Sequence, residues 1–255
     1  MNTHFIIPDT QVKPGVPIDH LRAAGNYIVR HKPDVIIHLG DHFDMHSLSS
    51  YDKGTKKAEG ANYLEDIKAG QRAMSELLGP LKAYNKKAKK DKKKRYKPRM
   101  VFLLGNHENR IARHINANPE LDGVLGFHTL GLEEMGWEVH DFLKPVEIDG
   151  LYYAHYFYNP MSGHPYGGQA STKLNNVGYS FVMGHQQGKQ LAEKYLGNGK
   201  TIRALIAGSF YQHFEGYKGY QANEHWQGCI VLHEVNDGDY CMMELSMNYL
   251  MKEWL

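Results

Sequence analysis

The chain has 255 residues, of which 42% are apolar, and its formal net charge is +2 at pH 7. This length and composition suit a packed globular protein and argue against a disordered one. Two cysteines are too few for a disulfide framework or a cysteine-based zinc module, and no apolar run approaches the roughly 20 residues that span a membrane.

The N-terminal region and the cysteines bear on the compartment. The apolar stretch Phe5-Ile6-Ile7 is too short for the core of a signal peptide. Cys229 and Cys241 flank a predicted hairpin turn at 236–239, and pairing about that turn does not set the two thiols opposite each other. We therefore expect a cytoplasmic protein without membrane contact, in which both thiols are reduced and buried.

The first half of the chain alternates strands and helices. Its apolar pattern predicts strands at 3–8, 35–39 and 100–104, with helices at 19–31 and 61–84 between them. This order is typical of a parallel sheet with crossover helices, in which ligands bind beyond the carboxyl ends of the strands. Asp9, Asp41 and Asn106-His107 each follow one of these strands directly, so we expect them to meet at one edge of the sheet.

The second half of the chain is rich in predicted strands. A helix at 109–118 and a helix-and-loop region at 120–136 precede strands at 139–142, 146–148, 151–155, 179–183, 201–207, 229–234 and 240–245. His155 and Gly184-His185 again follow apolar strands. Because both halves contribute residues to one set of strand ends, we predict a single domain over 1–255 with a Lys-rich insert at 82–99.

The Lys-rich segment contains most of the excess positive charge. It carries eleven Lys or Arg residues and one acidic residue, Asp91, so the rest of the chain is acidic overall. Such a cluster could contact nucleic acid through its phosphates, or it could be only a solvated helix end or loop. The candidate contacts are Lys86, Lys87, Lys89, Lys90, Lys92, Lys93, Lys94 and Arg95. Lysines predominate, which argues against sequence-specific recognition.

The residues at the strand ends combine carboxylate, amide and imidazole groups, which suit a divalent ion such as Mn²⁺, Fe²⁺ or Zn²⁺. They fall in five blocks along the chain, which are Asp9-Thr10-Gln11, Gly40-Asp41-His42-Phe43-Asp44, Gly105-Asn106-His107-Glu108, His155 and Gly184-His185-Gln186-Gln187. In order and content these blocks resemble the motifs of the calcineurin-like metallophosphoesterase superfamily, and the resemblance extends from residue 9 to residue 187.

The resemblance implies a fold and a reaction. The fold would be α/β, with a two-sheet β-sandwich core flanked by helices in four layers. The reaction would be hydrolysis of a phosphoester by a metal-bound hydroxide held between two divalent ions. Mn²⁺ is the expected metal, with Mg²⁺, Fe²⁺, Zn²⁺ and Ni²⁺ as alternatives.

The resemblance also implies roles for individual residues. Asp41 would bridge the two ions, and Asn106, His155 and His185 would complete the second metal site. Asp9 would belong to the first site. His107 would protonate the leaving group, while the Asp44 carboxylate would orient the His107 ring.

Two departures from the family motifs fall on the first metal site. Gln11 and Gln187 stand where the family has histidines, and an amide oxygen binds a transition metal more weakly than an imidazole. We therefore expect an oxygen-rich first site that binds its ion more loosely than the second. His213 or His164 could supply a replacement ligand.

A third departure bears on the substrate. Met45 stands where the protein-phosphatase branch has an arginine, which favours a phosphodiesterase or nuclease over a phosphoprotein phosphatase. Two alternatives stay open from the sequence. One is a phosphomonoesterase that acts on a small molecule, and the other is a degenerate, non-catalytic module that binds nucleic acid.

Overall fold

The computed structural model describes residues 1–50, 54, 59–215 and 225–255. The strands in these ranges are β1 (Asn2–Ile7), β2 (Val35–His38), β3 (Arg99–Leu103), β4 (Glu138–His140), β5 (Val146–Ile148), β6 (Leu151–Ala154), β7 (Tyr158–Asn159), β8 (His164–Pro165), β9 (Phe181–Met183), β10 (Gln190–Tyr195), β11 (Thr201–Ile206), β12 (Gly228–Asn236) and β13 (Asp239–Ser246). The α-helices are α1 (Asp19–His31), α2 (Tyr63–Lys90), α3 (Arg110–Ala117), α4 (Ala170–Val177) and α5 (Met247–Trp254).

The strands form two large sheets and one small hairpin. The first sheet has the order β13-β12-β1-β2-β3-β4, the second has the order β10-β11-β9-β6-β5, and β7 pairs with β8. Strands β1 to β4 run parallel, as do β6, β9 and β11. The predicted parallel sheet with crossover helices is therefore confirmed, and the fold is a mixed α/β structure.

The central strands β1, β2 and β3 are mostly apolar and buried on both faces, as expected where both faces are covered. In β1, Ile6 packs in the core between the two sheets, while Phe5 and Ile7 pack in the core under the helices. Helices α1, α2 and α5 cover that outer face of the first sheet. Helix α4 covers the outer face of the second sheet through Ala170 and Leu174. The layers are thus helix, sheet, sheet and helix.

The parallel strands bring the motif loops to one edge of the sandwich. Ile7 pairs with His38, and His38 pairs with Phe102, so β1, β2 and β3 end at the same level. In the second sheet, Ala154 pairs with Met183 in the same way. The sheets join at this edge, where the Phe210 N–H donates to the Asp9 carbonyl oxygen at 2.8 Å.

Some predicted elements differ from those observed. The region 120–136, predicted as helix and loop, contains no α-helix and forms two short 3₁₀ turns, Pro119–Leu121 and Phe127–Leu130. Helix α4, helix α5, strand β10 and the β7–β8 hairpin were not predicted, because short elements on the outside of the fold show little apolar periodicity. Cys229 is buried as expected, but Cys241 is exposed because its side chain lies on the outer face of an edge strand.

The Lys-rich segment lies at the opposite edge of the first sheet from the motif loops. Its first half is the end of α2, which extends six residues beyond the predicted helix, and Arg99 already belongs to β3. The Tyr96 hydroxyl donates to the Pro33 carbonyl oxygen at 2.5 Å, just before β2 begins. In contrast, Gly70 lies in the first part of α2, and its carbonyl oxygen contacts the His42 ring beside the motif loops. At about 1.5 Å per residue, Lys90 lies about 30 Å along the helix from Gly70.

The exposed charges of this segment surround a groove. The groove has a volume of about 420 Å³, with Leu78, Leu81 and Met100 in its apolar part. Its basic lining residues are Lys82, Lys86, Lys89 and Arg95. Across the described parts of the chain, we find no helix with the length and apolar character needed to cross a membrane.

Gly70 is a position where close packing excludes any side chain. A Cβ atom on Gly70 would lie 2.1 Å from the Phe43 ring. We expect Gly70→Ala to lower the free energy of unfolding by about 1–3 kcal/mol, since a tightly packed core resists added volume. Urea unfolding measures this change. Ser75→Ala, on the exposed face of the same helix, is the control and should shift stability by no more than about 0.5 kcal/mol. Equal effects of the two changes would contradict the packing argument.

Candidate metal centre

Three side chains from different strand ends form a cluster that could bind a metal ion. Ligand atoms of Asp41, His155 and His185 all lie within 4.8 Å of one another. Asp41 and His185 have φ angles of 50° and 62°, in the left-handed region that non-glycine residues seldom adopt. Such strained residues concentrate at functional sites, where the surrounding structure holds them in place. Both are held in loops that directly follow strands of the two sheets.

The hydrogen bonds of His155 prepare one ring nitrogen to bind a cation. Nδ1 lies 2.8 Å from the Leu39 carbonyl oxygen, which can only accept, so Nδ1 carries a proton. The other nitrogen, Nε2, lies 2.9 Å from Asn106 Oδ1 and 3.3 Å from Asp41 Oδ2. Three electron-rich atoms therefore converge, and only a proton on Nε2 or a cation among them can satisfy all three.

The pKa values in the cluster reflect this convergence of charge. Burial lowers the pKa of His155, but the carboxylates of Asp41 and Asp9 and the hydrogen bond to Leu39 together outweigh burial and raise it to about 9. Burial and the charge on His155 lower the pKa of His185 to about 4. Against the effect of burial, the charges of His107 and His155 lower the pKa of Asp41. His185 is thus neutral, with a lone pair available, and Asp41 is ionised.

Asp9 adds a carboxylate oxygen that has no donor. One oxygen, Oδ1, accepts the backbone N–H of His185 at 3.0 Å, while Oδ2 is buried and has no hydrogen-bond partner among the described residues. Burial raises the pKa of Asp9 to about 7, and Asp41 adds to this increase. A buried carboxylate oxygen without a donor is costly, and a bound cation would relieve it. The residues present therefore fit a divalent ion.

His107 lies beside this cluster and is held by Asp44. Its Nδ1 is 2.6 Å from Asp44 Oδ1, and its Nε2 is 3.7 Å from Asp41 Oδ2. Arg110 supports Asp44 in turn by donating to the Asp44 carbonyl oxygen at 2.7 Å. Burial lowers the pKa of His107, but the two carboxylates outweigh this and raise it to about 9. The ring is therefore protonated at neutral pH.

Glu108 is a site residue to which the sequence assigned no role. Its buried carboxylate accepts four backbone N–H groups: His42 and Phe43 donate to Oε1 at 2.7 and 2.8 Å, and Asp41 and Gly105 donate to Oε2 at 3.0 and 2.8 Å. These bonds join the loop after β2 to the loop after β3. The sequence signal was its place directly after Asn106-His107, which alone cannot reveal four donors.

Gly105 allows the same two loops to approach closely. A Cβ atom there would lie 2.2 Å from Asp41 Oδ1 and 2.4 Å from the Asp41 backbone nitrogen. The Asp41 carboxylate instead accepts the His107 backbone N–H at 2.9 Å. Asp41 thus contacts the β3 loop through Oδ1 and presents Oδ2 to the histidines.

A buried chain of hydrogen bonds lies below the site, and both ring nitrogens of His42 take part in it. The Gly40 N–H donates to His38 Nδ1 at 3.2 Å, and His38 Nε2 lies 3.3 Å from Thr10 Oγ1. Thr10 Oγ1 lies 2.7 Å from His42 Nδ1, and His42 Nε2 lies 3.0 Å from the Gly70 carbonyl oxygen. Because an N–H begins the chain and a carbonyl ends it, each bond has one consistent direction. His38 and His42 are therefore neutral structural residues, in line with the lowering of both pKa values by burial.

The two glutamines expected at the first metal site, Gln11 and Gln187, differ in their surroundings. Gln11 is buried in a left-handed conformation, and its backbone N–H donates to the Asp41 carbonyl oxygen at 2.8 Å. Gln187 is partly buried, and its Oε1 accepts the Tyr211 hydroxyl at 2.7 Å. Of the suggested replacement ligands, His213 contacts Glu215 through Nε2 at 2.5 Å, and His164 is exposed in β8.

The candidate nucleic-acid contacts lie apart from this cluster. Lys86, Lys87, Lys89 and Lys90 are on the last turns of α2, and Lys92, Lys93, Lys94 and Arg95 follow the helix. All eight are exposed at the far edge of the first sheet. The structure therefore brings Asp9, Asp41, Asn106, His155 and His185 together and leaves the basic segment at a distance from them.

Comparisons with known proteins add little to this geometry. No protein-family model matches the chain, and no curated protein matches it. A solved structure whose title names neither a protein nor a function aligns with 96% of this chain and 99% of its own. Its sequence identity is 9% and its TM-score is 0.44, so the likeness carries no argument about this protein.

Glu108→Gln should destabilise the folded protein. A glutamine keeps one acceptor oxygen, but its NH₂ group would face two of the four backbone N–H donors. We expect a loss of at least about 2 kcal/mol in the free energy of unfolding, because buried donors would lack acceptors. Thermal unfolding measures the loss. Glu134→Gln, an exposed control, should unfold like the wild type. If Glu108→Gln also unfolded like the wild type, the four hydrogen bonds of Glu108 would not stabilise the fold.

A divalent ion should stabilise the protein through Asp41. An ion that binds only the folded state adds about 2.7 kcal/mol at a concentration of 100 Kd, which raises Tm. We expect Mn²⁺ to raise the Tm of the wild type but hardly that of Asp41→Asn, since the amide can still accept the His107 N–H but carries no charge. Asp91→Asn, an exposed change at the end of α2, is the control. An unchanged Mn²⁺ effect in Asp41→Asn would show that the ion binds elsewhere.

Proposed function

We propose that the protein is a metal-dependent phosphoesterase of the calcineurin-like type that acts on phosphodiesters. The observation that carries the proposal is the cluster of Asp41, His155 and His185 within 4.8 Å, with the His107–Asp44 pair beside it. A metal-binding cluster alone is compatible with a structural role. A buried, protonated histidine held by a carboxylate next to that cluster is what acid catalysis needs.

The ligands divide into two sets under this proposal. Asp41, Asn106, His155 and His185 would bind the second ion, and Asp9, Asp41, Gln11 and Gln187 would bind the first. Mn²⁺ suits this mixture of oxygen and imidazole ligands. When bound, such ions supply Lewis acidity that polarises a phosphoryl oxygen and lowers the pKa of water.

The residues of the chain perform the proton transfer. Hydrolysis joins a water oxygen to phosphorus and breaks the bond from phosphorus to the leaving oxygen, which must then gain a proton. Asp44 accepts the Nδ1 proton of His107 at 2.6 Å, so the Nε2 proton of the imidazolium remains to be donated. Because burial excludes water from this pair, its orientation is maintained before a substrate binds.

Two further observations support membership of this family and a diester substrate. The helix, sheet, sheet and helix layers are what the family resemblance implies. The phosphoprotein phosphatases have an arginine directly after the motif that corresponds to Gly40–Asp44. Here Met45 occupies that place and is fully buried, and the nearby Arg110 guanidinium is already bound to the Asp44 carbonyl oxygen. We therefore favour a phosphodiesterase or nuclease over a phosphomonoesterase.

A second candidate function is a non-catalytic module that binds nucleic acid. It is favoured by the hydrogen bond from the Tyr211 hydroxyl to Gln187 Oε1, which engages the atom that would bind the first ion. Against it stands the buried His107–Asp44 pair, since a protein that only binds nucleic acid has no need of a proton donor.

The deciding experiment is hydrolysis of bis-nitrophenyl and mono-nitrophenyl phosphate with Mn²⁺, Mg²⁺, Fe²⁺, Zn²⁺ or Ni²⁺. We expect Mn²⁺-dependent turnover of the diester, and a loss of about 10²–10⁴-fold in kcat in His107→Ala, the usual contribution of a positioned acid. His233→Ala is the control, because His233 lies on β12 at the opposite edge.

Three outcomes would argue against the proposal. Full activity in His107→Ala would exclude its acid role. Faster turnover of the monoester would indicate a phosphomonoesterase. No turnover with any of the five metals would leave the binding module as the better explanation.

A further inference from the structure

A cleft of about 730 Å³ opens directly beside the candidate metal ligands. Asn106 and His185 lie in its wall, and one side of it is formed by Asn109 and, on helix α3, by Arg110 and Arg113. The described residues that line it include two arginines and three histidines but no Asp or Glu. In a chain that is acidic outside the Lys-rich segment, this cleft is suited to a polyanion.

Arg113 is the cationic side chain in this cleft that faces solvent. Arg110 is mostly buried and bound to Asp44, whereas Arg113 is exposed and has no carboxylate partner among the described residues. Its Nη2 donates to the Asn106 carbonyl oxygen at 3.2 Å. One bond therefore fixes the guanidinium next to a candidate metal ligand, and its remaining N–H groups are available to a phosphate.

Two aromatic side chains line the same cleft. The ring of Tyr156 lies 4.7 Å from the His185 ring and 5.3 Å from the Phe142 ring, measured between centroids. No residue in the described part of the chain hydrogen-bonds the Tyr156 hydroxyl. Tyr156 and Arg113 line the same cleft. A flat ring beside a free guanidinium can receive both a base and a phosphate.

We infer that this cleft binds single-stranded nucleic acid, with Arg113 on a phosphate next to the scissile one and Tyr156 and Phe142 against a base. The identification of a scissile phosphate rests on the proposed function, but the binding of the strand does not. A duplex is disfavoured because its base faces are stacked and cannot reach an aromatic ring. A volume of about 730 Å³ accommodates more than a lone phosphate ester, since clefts of roughly 300–1,000 Å³ enclose drug-sized ligands.

This inference moves the nucleic-acid contact away from the Lys-rich segment. The end of α2 lies about 30 Å along the helix from Gly70, which contacts the network beneath the site. A strand whose phosphates lie in the cleft contacts Arg113, while those lysines lie at the opposite end of α2. Its affinity should therefore depend on Arg113 and be independent of the lysines.

The test measures binding of a fluorescent six-nucleotide oligothymidylate by anisotropy in EDTA, where no cleavage occurs. We expect Arg113→Gln to weaken binding about tenfold, the effect of losing a charge-assisted hydrogen bond. The slope of log K against log salt should fall by about 0.7, the value for one phosphate contact on a single strand. Arg30→Gln, an exposed arginine at the end of α1, is the charge-matched control and should change neither quantity.

Two more variants separate charge from stacking. Arg113→Lys keeps the charge, so it should keep the salt slope while losing part of the affinity, because it loses the paired donors. Tyr156→Leu should weaken binding about fivefold or more without changing the salt slope, because stacking is independent of counterions.

The outcomes distinguish this inference from the proposed function. Wild-type affinity in Arg113→Gln, or a tenfold loss in Lys89→Gln/Lys93→Gln instead, would overturn the inference and leave the phosphoesterase intact. Binding that depends on Arg113, without turnover of bis-nitrophenyl phosphate, would retain the inference and reject the enzyme. If both hold, Arg113→Gln should lose about tenfold more kcat/KM for the oligonucleotide than for the small diester.

Discussion

The carboxylate of Glu108 is the constraint on which the rest of the site depends. It accepts four backbone N–H groups from two loops that belong to neighbouring parallel strands. A loop between a strand and a helix normally leaves such donors to water, but here the sheet sandwich and α2 bury them. One ionised side chain satisfies all four, which allows Asp41 to remain in a left-handed conformation at the junction.

The buried histidines extend this support from the loops to the helix layer. The bonds through His38, Thr10 and His42 end on the Gly70 carbonyl oxygen of α2. Beside it, the Phe43 ring packs against the space that a Gly70 side chain would occupy. The position of Asp41 is therefore coupled to the packing of the long helix against the sheet. The loops of the candidate site are therefore held by buried hydrogen bonds to the sheet and to α2.

The distribution of charge separates two kinds of basic residue. Arg110 donates to the backbone carbonyl of Asp44 and supports the His107–Asp44 pair, whereas Arg113, one turn later on α3, faces the open cleft. The lysines of the Lys-rich segment lie at the amino edge of the first sheet, beyond the reach of either arginine. Under both proposals, the lysine cluster of the sequence does not mark the place where a polyanion would meet the metal-binding candidates.

The sequence alone determined the alternation of strands and helices in the first half and the placement of Asp9, Asp41, Asn106, His155 and His185 after strands. Apolar periodicity and strand-end position are local properties, so they can be read without a structure. Only the tertiary structure decided that Glu108 and His42 support the loops, that Gln187 contacts Tyr211, and that the lysines lie far from the cleft. Those facts depend on contacts between residues distant in sequence, which no local pattern encodes.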